Sequence, residues 1–455
     1  MATLLLCAAA QTVLPAQRFT TLASFEQSDG VEPGSLVQGL DGNLYGTATA
    51  GGSDSSQCPS SSGCGTVFKV STSGELTLLF SFDGIKSYYP AGGLAQAASG
   101  DLFGLTSSGG YRNCINGCGT IFKITPEGDL TTVHSFSDSE GHSASSTLVL
   151  SSDGNFYGTT TEGGAYGGGT FFQVTTGGAL TTLQNFTANG NGQTHNYSIK
   201  LQGPDGDFYG TSVLDGTYGL GTIFKITPAG ALTTLCNFDG TNGAYPDSLV
   251  LGPDGSLYGT ATGGLDGTPD GSVFRMTPQG ELTTLRTFDG TNGLYPTVLS
   301  NGSDGNFYGT TTEGGAYGEG TIFRITPTGA LTTLFNFPSF GVGYGGVVQA
   351  TNGTFYGASD SGGADNDGTI FSLSVGLGPF VEMQPATGVA GGVIQILGTD
   401  LTGSTSVTFN GVAAAFSVVS KSLITARVPA GAGSGFLRVV TPNGTLSSNV
   451  PFREI

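Results

Sequence analysis

A chain of 455 residues with a net charge of −19 and only 14 lysines and arginines has no basic patch for phosphates, which argues against nucleic acid or an anionic membrane surface as partner. The length exceeds what one hydrophobic core normally serves, so two or more domains are expected. Glycine, 80 of the 455 residues, recurs beside aromatics at fixed offsets without a collagen period, so it signals turns in a folded repeat rather than low complexity.

The chain opens with MATLLLCAAAQTVLPAQ. An apolar run ending in small residues reads as a secretory leader over residues 1–18, with cleavage after Ala10 or Ala16. No stretch of about 20 apolar residues follows, so no membrane span is expected. Residues 19–25, FTTLASF, match a motif that recurs as LTTLCNF at residues 232–238.

From there a unit repeats seven times. A tyrosine-glycine step, phenylalanine-glycine in one copy, places its glycines at Gly46, Gly104, Gly158, Gly210, Gly259, Gly309 and Gly357, spaced 48 to 58 residues apart. A second marker, glycine and a hydroxyl residue before an apolar pair, begins at Gly65, Gly119, Gly169, Gly221, Gly271, Gly320 and Gly368. A period near 50 marks a propeller, solenoid or array. In the fifth copy LVLGPDG, SLYGTAT, GSVFRMT and ELTTLRTF read as four short strands rich in β-branched and aromatic residues. Asp254-Gly255 and Pro278-Gln279-Gly280 supply tight turns between them. No segment holds a helical apolar period, so helix is nearly absent.

The predicted fold class is therefore all-β: a seven-bladed β-propeller over residues 19–374, a linker at 375–379, and a small immunoglobulin-like β-sandwich over 380–455. The last repeat stops after its third strand, and residues 19–25 are a fourth strand without the preceding three. The two defects are complementary, so the N-terminal strand is expected to complete the last blade and leave no bare edge.

Cysteine placement follows the repeat. The second and third predicted strands are separated by longer segments in the first two blades, 19 and 15 residues between markers against 11 or 12 in the other five. One insertion holds Cys58 and Cys64, the other Cys114 and Cys118, and two local disulfides are the expected pairing. A shared four-cysteine zinc site is the alternative, although the spacing is not CxxC. Cys236 lies where other copies carry His134, Gln184, Arg286 and Phe335 and reads as an unpaired thiol. His142 and His195 fall in successive inter-blade loops. With Asp138 and Glu140 they could hold a metal, but solvated loop histidines are the expected reading, and no metal or cofactor is assigned.

After residue 374 the pattern changes to short strands with Asn410-Gly411 and Asn443-Gly444 turns. Pro385 and Gly388, the Ile-x-Gly-x-x-Leu step from Ile396 to Leu401, the Val-x-Phe-x-Gly hairpin from Val407 to Gly411, Val428-Pro429 and Phe452 resemble the IPT/TIG domain. That resemblance implies a spacer or adhesive module. The string DGNFYGTTTEGGAYGEGTIFRITPTGALTTLFNF from Asp304 to Phe337 resembles the exported bacterial choice-of-anchor tandem repeat GloVer-containing proteins. This implies location and no particular chemistry. The blades are also similar to those of streptogramin lyase, whose catalytic histidine motif has no match here.

Function is expected in the longer loops, which fall on one face of the ring, between the second and third strands and between blades. That face is predicted to carry Tyr166, Tyr218, Tyr245, Tyr295, Tyr317, Asp239 and Asp289 as candidate ligand-binding residues, with Glu162 and Glu313 nearby. Tyrosines beside carboxylates suit sugar recognition. The competing role for Tyr245 and Tyr295, each followed by proline, is a wedge between blades, and for any single tyrosine packing outweighs a ligand role. The Asp-Gly aspartates (Asp41, Asp153, Asp205, Asp254, Asp304) read as turn residues. No Ser-His-Asp set, HExxH or nucleotide-binding glycine loop is present. We therefore expect a secreted or cell-surface monomer that binds an extracellular polysaccharide or protein. A metal-dependent lyase or hydrolase is the alternative.

Overall fold

A computed structural model describes residues 17–454 except 53–57, 59–61, 85, 112–113, 115–116, 145, 189–195, 264–269 and 339–344. The leader expected over residues 1–18 lies almost wholly outside the described residues. Among these, seven four-stranded antiparallel sheets precede the C-terminal region. The first is Val31–Gln38, Leu44–Ala50, Thr66–Val70 and Leu76–Ser81, side by side in chain order. Five more repeat this meander. The seventh joins Val347–Gln349, Phe355–Ser359 and Thr369–Ser374 to Arg18–Ser24 from the other end of the chain. Phe19 lies opposite Leu373 and Thr21 opposite Phe371, and Phe19 stacks on Phe335 of the sixth blade at 3.9 Å. Each sheet packs against the next and the last against the first, so the ring is closed by its own N-terminal strand.

Side-chain alternation explains why the third strand reads Thr-Ile-Phe-x-Ile. In Thr321–Ile325, Ile322 enters the core shared with the seventh blade, while Phe323 and Ile325 enter the core shared with the fifth. Seven buried apolar clusters result, one at each junction between consecutive blades. The tyrosine-glycine step belongs to this packing. Gly309 lies opposite Phe323 in the ladder, and a Cβ there would sit 2.6 Å from Phe323 Cζ and 3.0 Å from Leu299 Cδ2. The same approach, 2.3 to 2.6 Å, recurs between Gly46 and Phe68, Gly104 and Phe122, Gly158 and Phe172, Gly210 and Phe224, Gly259 and Phe274, and Gly357 and Phe371. The glycine makes room for a ring rather than permitting an unusual φ.

The tyrosine of that step reaches back to the tight turn. Its hydroxyl donates to the turn aspartate in the Tyr45–Asp41, Tyr157–Asp153, Tyr209–Asp205, Tyr258–Asp254 and Tyr308–Asp304 pairs, at 2.8 to 3.2 Å. Where the second blade has Phe103, the corresponding turn position is Ser99, so the carboxylate acceptor and the phenol donor are missing together. A glutamine closing the innermost strand ties neighbouring blades. Gln96 Oε1 accepts from Leu40 N, Gln38 Oε1 from Thr351 N, Gln202 Oε1 from Ser152 N and Gln349 Oε1 from Ser303 N.

Beyond the ring, two four-stranded sheets enclose a separate core that includes Val381, Ile396, Phe409, Ile424, Val439 and Phe452. This immunoglobulin-like sandwich lies on the tight-turn face of the propeller. Leu397 and Leu423 meet Leu40, Ser422 Oγ donates to Leu40 O at 2.8 Å, and Gln395 Nε2 donates to Ala98 O at 2.7 Å. Phe380 N bonds Thr351 O at 3.0 Å. The strand order dictates this placement. First and third strands run toward the tight-turn face, and the seventh blade leaves the ring after its third strand because its fourth comes from the N-terminus. A last blade built from consecutive strands would deliver the chain to the opposite face.

Gly309→Ala is expected to cost about 1–3 kcal/mol through overpacking against Phe323, read as a lower urea midpoint with unchanged slope. Adding Phe323→Leu should recover part of the loss, and an unperturbed single variant would refute the packing role. Removing residues 17–25 should leave the Thr369–Ser374 strand without its outer partner and cause aggregation, scored by light scattering against the full chain. The tyrosine–aspartate pairs also set a pH window. Burial first, then the bond to Asp153, pushes the Tyr157 hydroxyl up to about 12. Burial alone would raise Asp153, but bonds from Asn155, Ser151 and Tyr157 hold it below the ordinary value. Unfolded tyrosine ionises near pH 10, so the stabilisation from Tyr157 is full below about pH 10 and declines toward about pH 12. Thermal melts of Tyr157→Phe should lack that part of the alkaline decline.

Candidate binding surface on the loop-rich face

The face opposite the sandwich is built from the loops between second and third strands and the loops between blades. Tyr166, Tyr218 and Tyr317 stand on the former and are 65 %, 62 % and 63 % exposed. An asparagine closing the fourth strand of the same blade fixes each loop. Asn185 Oδ1 accepts from Ala165 N at 2.8 Å, Asn237 Oδ1 from Thr217 N at 3.0 Å and Asn336 Oδ1 from Ala316 N at 2.8 Å. The bonded amide belongs in each case to the residue before the tyrosine. Sequence reasoning did not find these asparagines, although the signal was present: the blades with LTTLxNF in the third, fourth and sixth copies are those with a tyrosine-glycine pair in this loop. Tyr111, on the insertion of the second blade, was also missed and is 61 % exposed.

Tyr245 and Tyr295 occupy a different position, at the start of the innermost strand, with φ of 58° and 53°. Glu32, Tyr89, Ser143 and Asn196 share this left-handed conformation at the matching points of other blades. For tyrosine it is a strained region, costing on the order of 1–3 kcal/mol. In four of these six positions the next residue is a proline that seats against the preceding blade. Pro246 packs over Gly221, Pro296 over Gly271, Pro90 over Gly65 and Pro33 over Gly368, so closely that a Cβ on each glycine would fall 2.3 to 2.5 Å from the ring. Proline is thus the wedge between blades, and the expected wedging by Tyr245 and Tyr295 is corrected: Tyr245 is turned outward, 37 % exposed, and Tyr295 is half-buried.

Asp239 and Asp289 order their own loops. Asp239 Oδ1 accepts from Thr241 N, Thr241 Oγ1 and Asn242 N at 2.7 to 3.2 Å, and Asp289 Oδ1 makes the same set with Thr291 and Asn292. The threonine hydroxyl is the main cause holding each carboxyl below its ordinary value. One oxygen of each is therefore committed to the loop. On the seventh blade, burial and then the neighbouring Glu32 carboxylate push Asp360 up to about 6.

The histidines separate. His142 is not a solvated loop residue: its ring, 20 % exposed, lies with Nε2 3.4 Å from Asp138 Oδ1 and Nδ1 3.7 Å from Glu162 Oε2. Glu140 turns away, accepting from Ser137 N and Oγ at 2.9 and 2.7 Å and lying 3.4 Å from His134. His195 lies outside the described residues. Glu313 is exposed at the end of its strand. Both expected disulfides are present, Cys58–Cys64 and Cys114–Cys118, so the cysteines do not form a shared zinc site. Cys236 is the free cysteine among the described residues, and burial raises its thiol.

Residues 11–199 and 144–371 match the Gloeobacter/Verrucomicrobia repeat. The chain belongs to that repeat family. Residues 380–453 match the IPT/TIG domain. No curated protein sequence matches the chain. Among solved structures, the fold resembles a catalytically inactive virginiamycin B lyase from Staphylococcus aureus in complex with quinupristin, at 13 % identity and a TM-score of 0.55 over 79 % of this chain and 99 % of that one. It also resembles a copper-bound fungal alcohol oxidase, at 12 % identity and a TM-score of 0.53 over 96 % of this chain and 98 % of that one. At such identities the likeness is one of fold. Repeat and IPT/TIG domains fit a binding or structural protein, and the two disulfides fit an oxidising compartment. No helix among the described residues is long and apolar enough to cross a membrane.

Asn336→Ala removes one loop-fixing bond worth about 1 kcal/mol. Amide exchange in the Tyr317 loop should accelerate roughly fivefold while the melting temperature barely changes. Equal exchange in both proteins would show that the asparagine does not fix the loop.

Proposed function

We propose that the protein is an exported binding module whose loop-rich face holds an extracellular polysaccharide. The observation that carries this reading is the set of tyrosines held out to solvent on anchored loops, Tyr166, Tyr218 and Tyr317, each fixed by its own asparagine. A tyrosine presents a flat apolar ring for a sugar face and a hydroxyl for directional bonding, with little rotamer freedom to lose. Loops already fixed before binding reduce the ordering cost. Tyr245, Asp239 and Asp289 add polar groups on the inter-blade loops of the same face. The sandwich covers the opposite face and leaves this one open, as a spacer between a surface and a binding ring would. The two disulfides are in keeping with export.

Polysaccharide arrays and calorimetry test the reading. Tyr166→Ala, Tyr218→Ala and Tyr317→Ala should each weaken binding by about 1 kcal/mol, roughly fivefold, without lowering the melting temperature, because the rings are exposed. No bound polysaccharide, or binding indifferent to all three changes, would overturn it. A second reading, a metal-dependent lyase or hydrolase on the same face, is favoured only by the placement of His142 between Asp138 and Glu162. Release of cleaved product from a bound chain, abolished by His142→Ala, would establish that alternative.

A further inference from the structure

Three loops converge on the loop-rich face between the second and third blades. They contribute Cys114 from the second-blade insertion, Asp138 and His142 from the inter-blade loop, and Glu162 from the third blade. One ligand atom from each of Cys114, Asp138 and His142 lies within 4.8 Å of the others. Asp138 Oδ1 and His142 Nε2 are 3.4 Å apart, close to the ~3.3 Å that separates two ligands of one tetrahedral zinc ion with bonds near 2.0 Å. On the far side of the imidazole, Glu162 Oε2 lies 3.7 Å and Ser143 Oγ 3.1 Å from Nδ1. Backbone bonds run both ways between His142 and Glu162, at 2.8 and 3.2 Å. A carboxylate behind a histidine that faces a ligand position is the arrangement that orients the ring and raises its basicity in metal sites. Among the described residues this is the one group of at least three such side chains.

The third ligand is masked, since Cys114 is bonded to Cys118 and a disulfide sulfur is a poor ligand beside a thiolate. We infer that Cys114, Asp138 and His142 form a redox-gated site for a divalent transition metal of the zinc type, filled when the Cys114–Cys118 disulfide is reduced. Reduction by a dithiol breaks the S–S bond. Two electrons and two protons pass to the cysteine sulfurs while the dithiol closes into its own disulfide. Cys114 then gives up its thiol proton on binding the metal. A thiolate, a carboxylate and a neutral imidazole supply three positions and leave the fourth to water. The bridge spans only four residues, and Cys114 is half-buried rather than buried, so a reductant can reach it. This reading does not depend on polysaccharide binding.

Cobalt(II) titration of the full chain tests it, comparing oxidised protein with protein reduced by dithiothreitol and desalted under nitrogen. Reduced protein should bind one cobalt ion with a sulfur-to-cobalt charge-transfer absorption, and oxidised protein should show none. The absorption should persist when Cys58 and Cys64 are both serine and disappear in Cys114→Ser, which together assign it to Cys114. Asp138→Asn and His142→Ala should each weaken cobalt binding at least tenfold, and Glu162→Gln should do so about tenfold through the ring orientation. Asp138 is 64 % exposed, so its variant keeps the fold even if His142→Ala does not. No absorption after reduction, or an absorption unchanged in Asp138→Asn, would overturn the site.

Discussion

The ring depends on the close approach of a strand-two glycine to a strand-three phenylalanine. Each blade presents Phe68, Phe122, Phe172, Phe224, Phe274, Phe323 or Phe371 over the bare backbone of its partner glycine. Without a Cβ in the way, the ring lies flat enough for the preceding sheet to pack on it, and the space between sheets closes into one apolar cluster per junction. Dense packing tolerates little added volume, so the constraint holds in every copy even though the flanking residues vary. The tyrosine beside the glycine does the complementary task, filling the neighbouring junction with its ring and securing the tight turn with its hydroxyl.

Closure then determines where everything else lies. Because the N-terminal strand supplies the last outer position, the chain leaves the ring at the end of a third strand, on the tight-turn side. The sandwich meets that side at once through Leu40, Ala98 and Thr351. Two regular faces thus become unequal: one is covered, and the other, with the longer loops, stays open. The insertions that carry the disulfides are both on the open face, as is the cluster around His142.

Near-identical repeats make their departures informative. Phe103 loses the tyrosine hydroxyl, and Ser99 replaces the acceptor it would have used. Asp360 stands where other blades have Thr49, Ser107, Thr161, Thr262 or Thr312, and burial, followed by Glu32 beside it, raises its carboxyl. The tyrosines of the third, fourth and sixth blades go with an asparagine twenty residues on, in the sequence Tyr166 to Asn185, Tyr218 to Asn237 and Tyr317 to Asn336, counted from the residue before the tyrosine. A solvent-exposed ring on a fixed loop has no packing purpose of its own, which is why these positions carry the functional reading.

By itself the sequence determined the periodic part of this protein. Strand alternation, Asp-Gly and Pro-x-Gly turns and the complementary defects at the two ends specify the blades and their closure, because each is a local pattern repeated until it is unambiguous. The cysteine pairs were legible for the same reason, as insertions against a regular background. Tertiary structure alone decided what depends on contacts across loops and blades. It showed that Pro246 and Pro296, rather than Tyr245 and Tyr295, fill the junctions, because proline reaches a glycine in the preceding blade. It also showed that Asp239 and Asp289 spend one oxygen on their own turns. His142 was read as a solvated loop residue because Glu162, which lies behind its ring, comes from a different loop, whereas Asp138 is four residues away in the same one. No spacing in one dimension encodes how two loops meet after the sheets have packed.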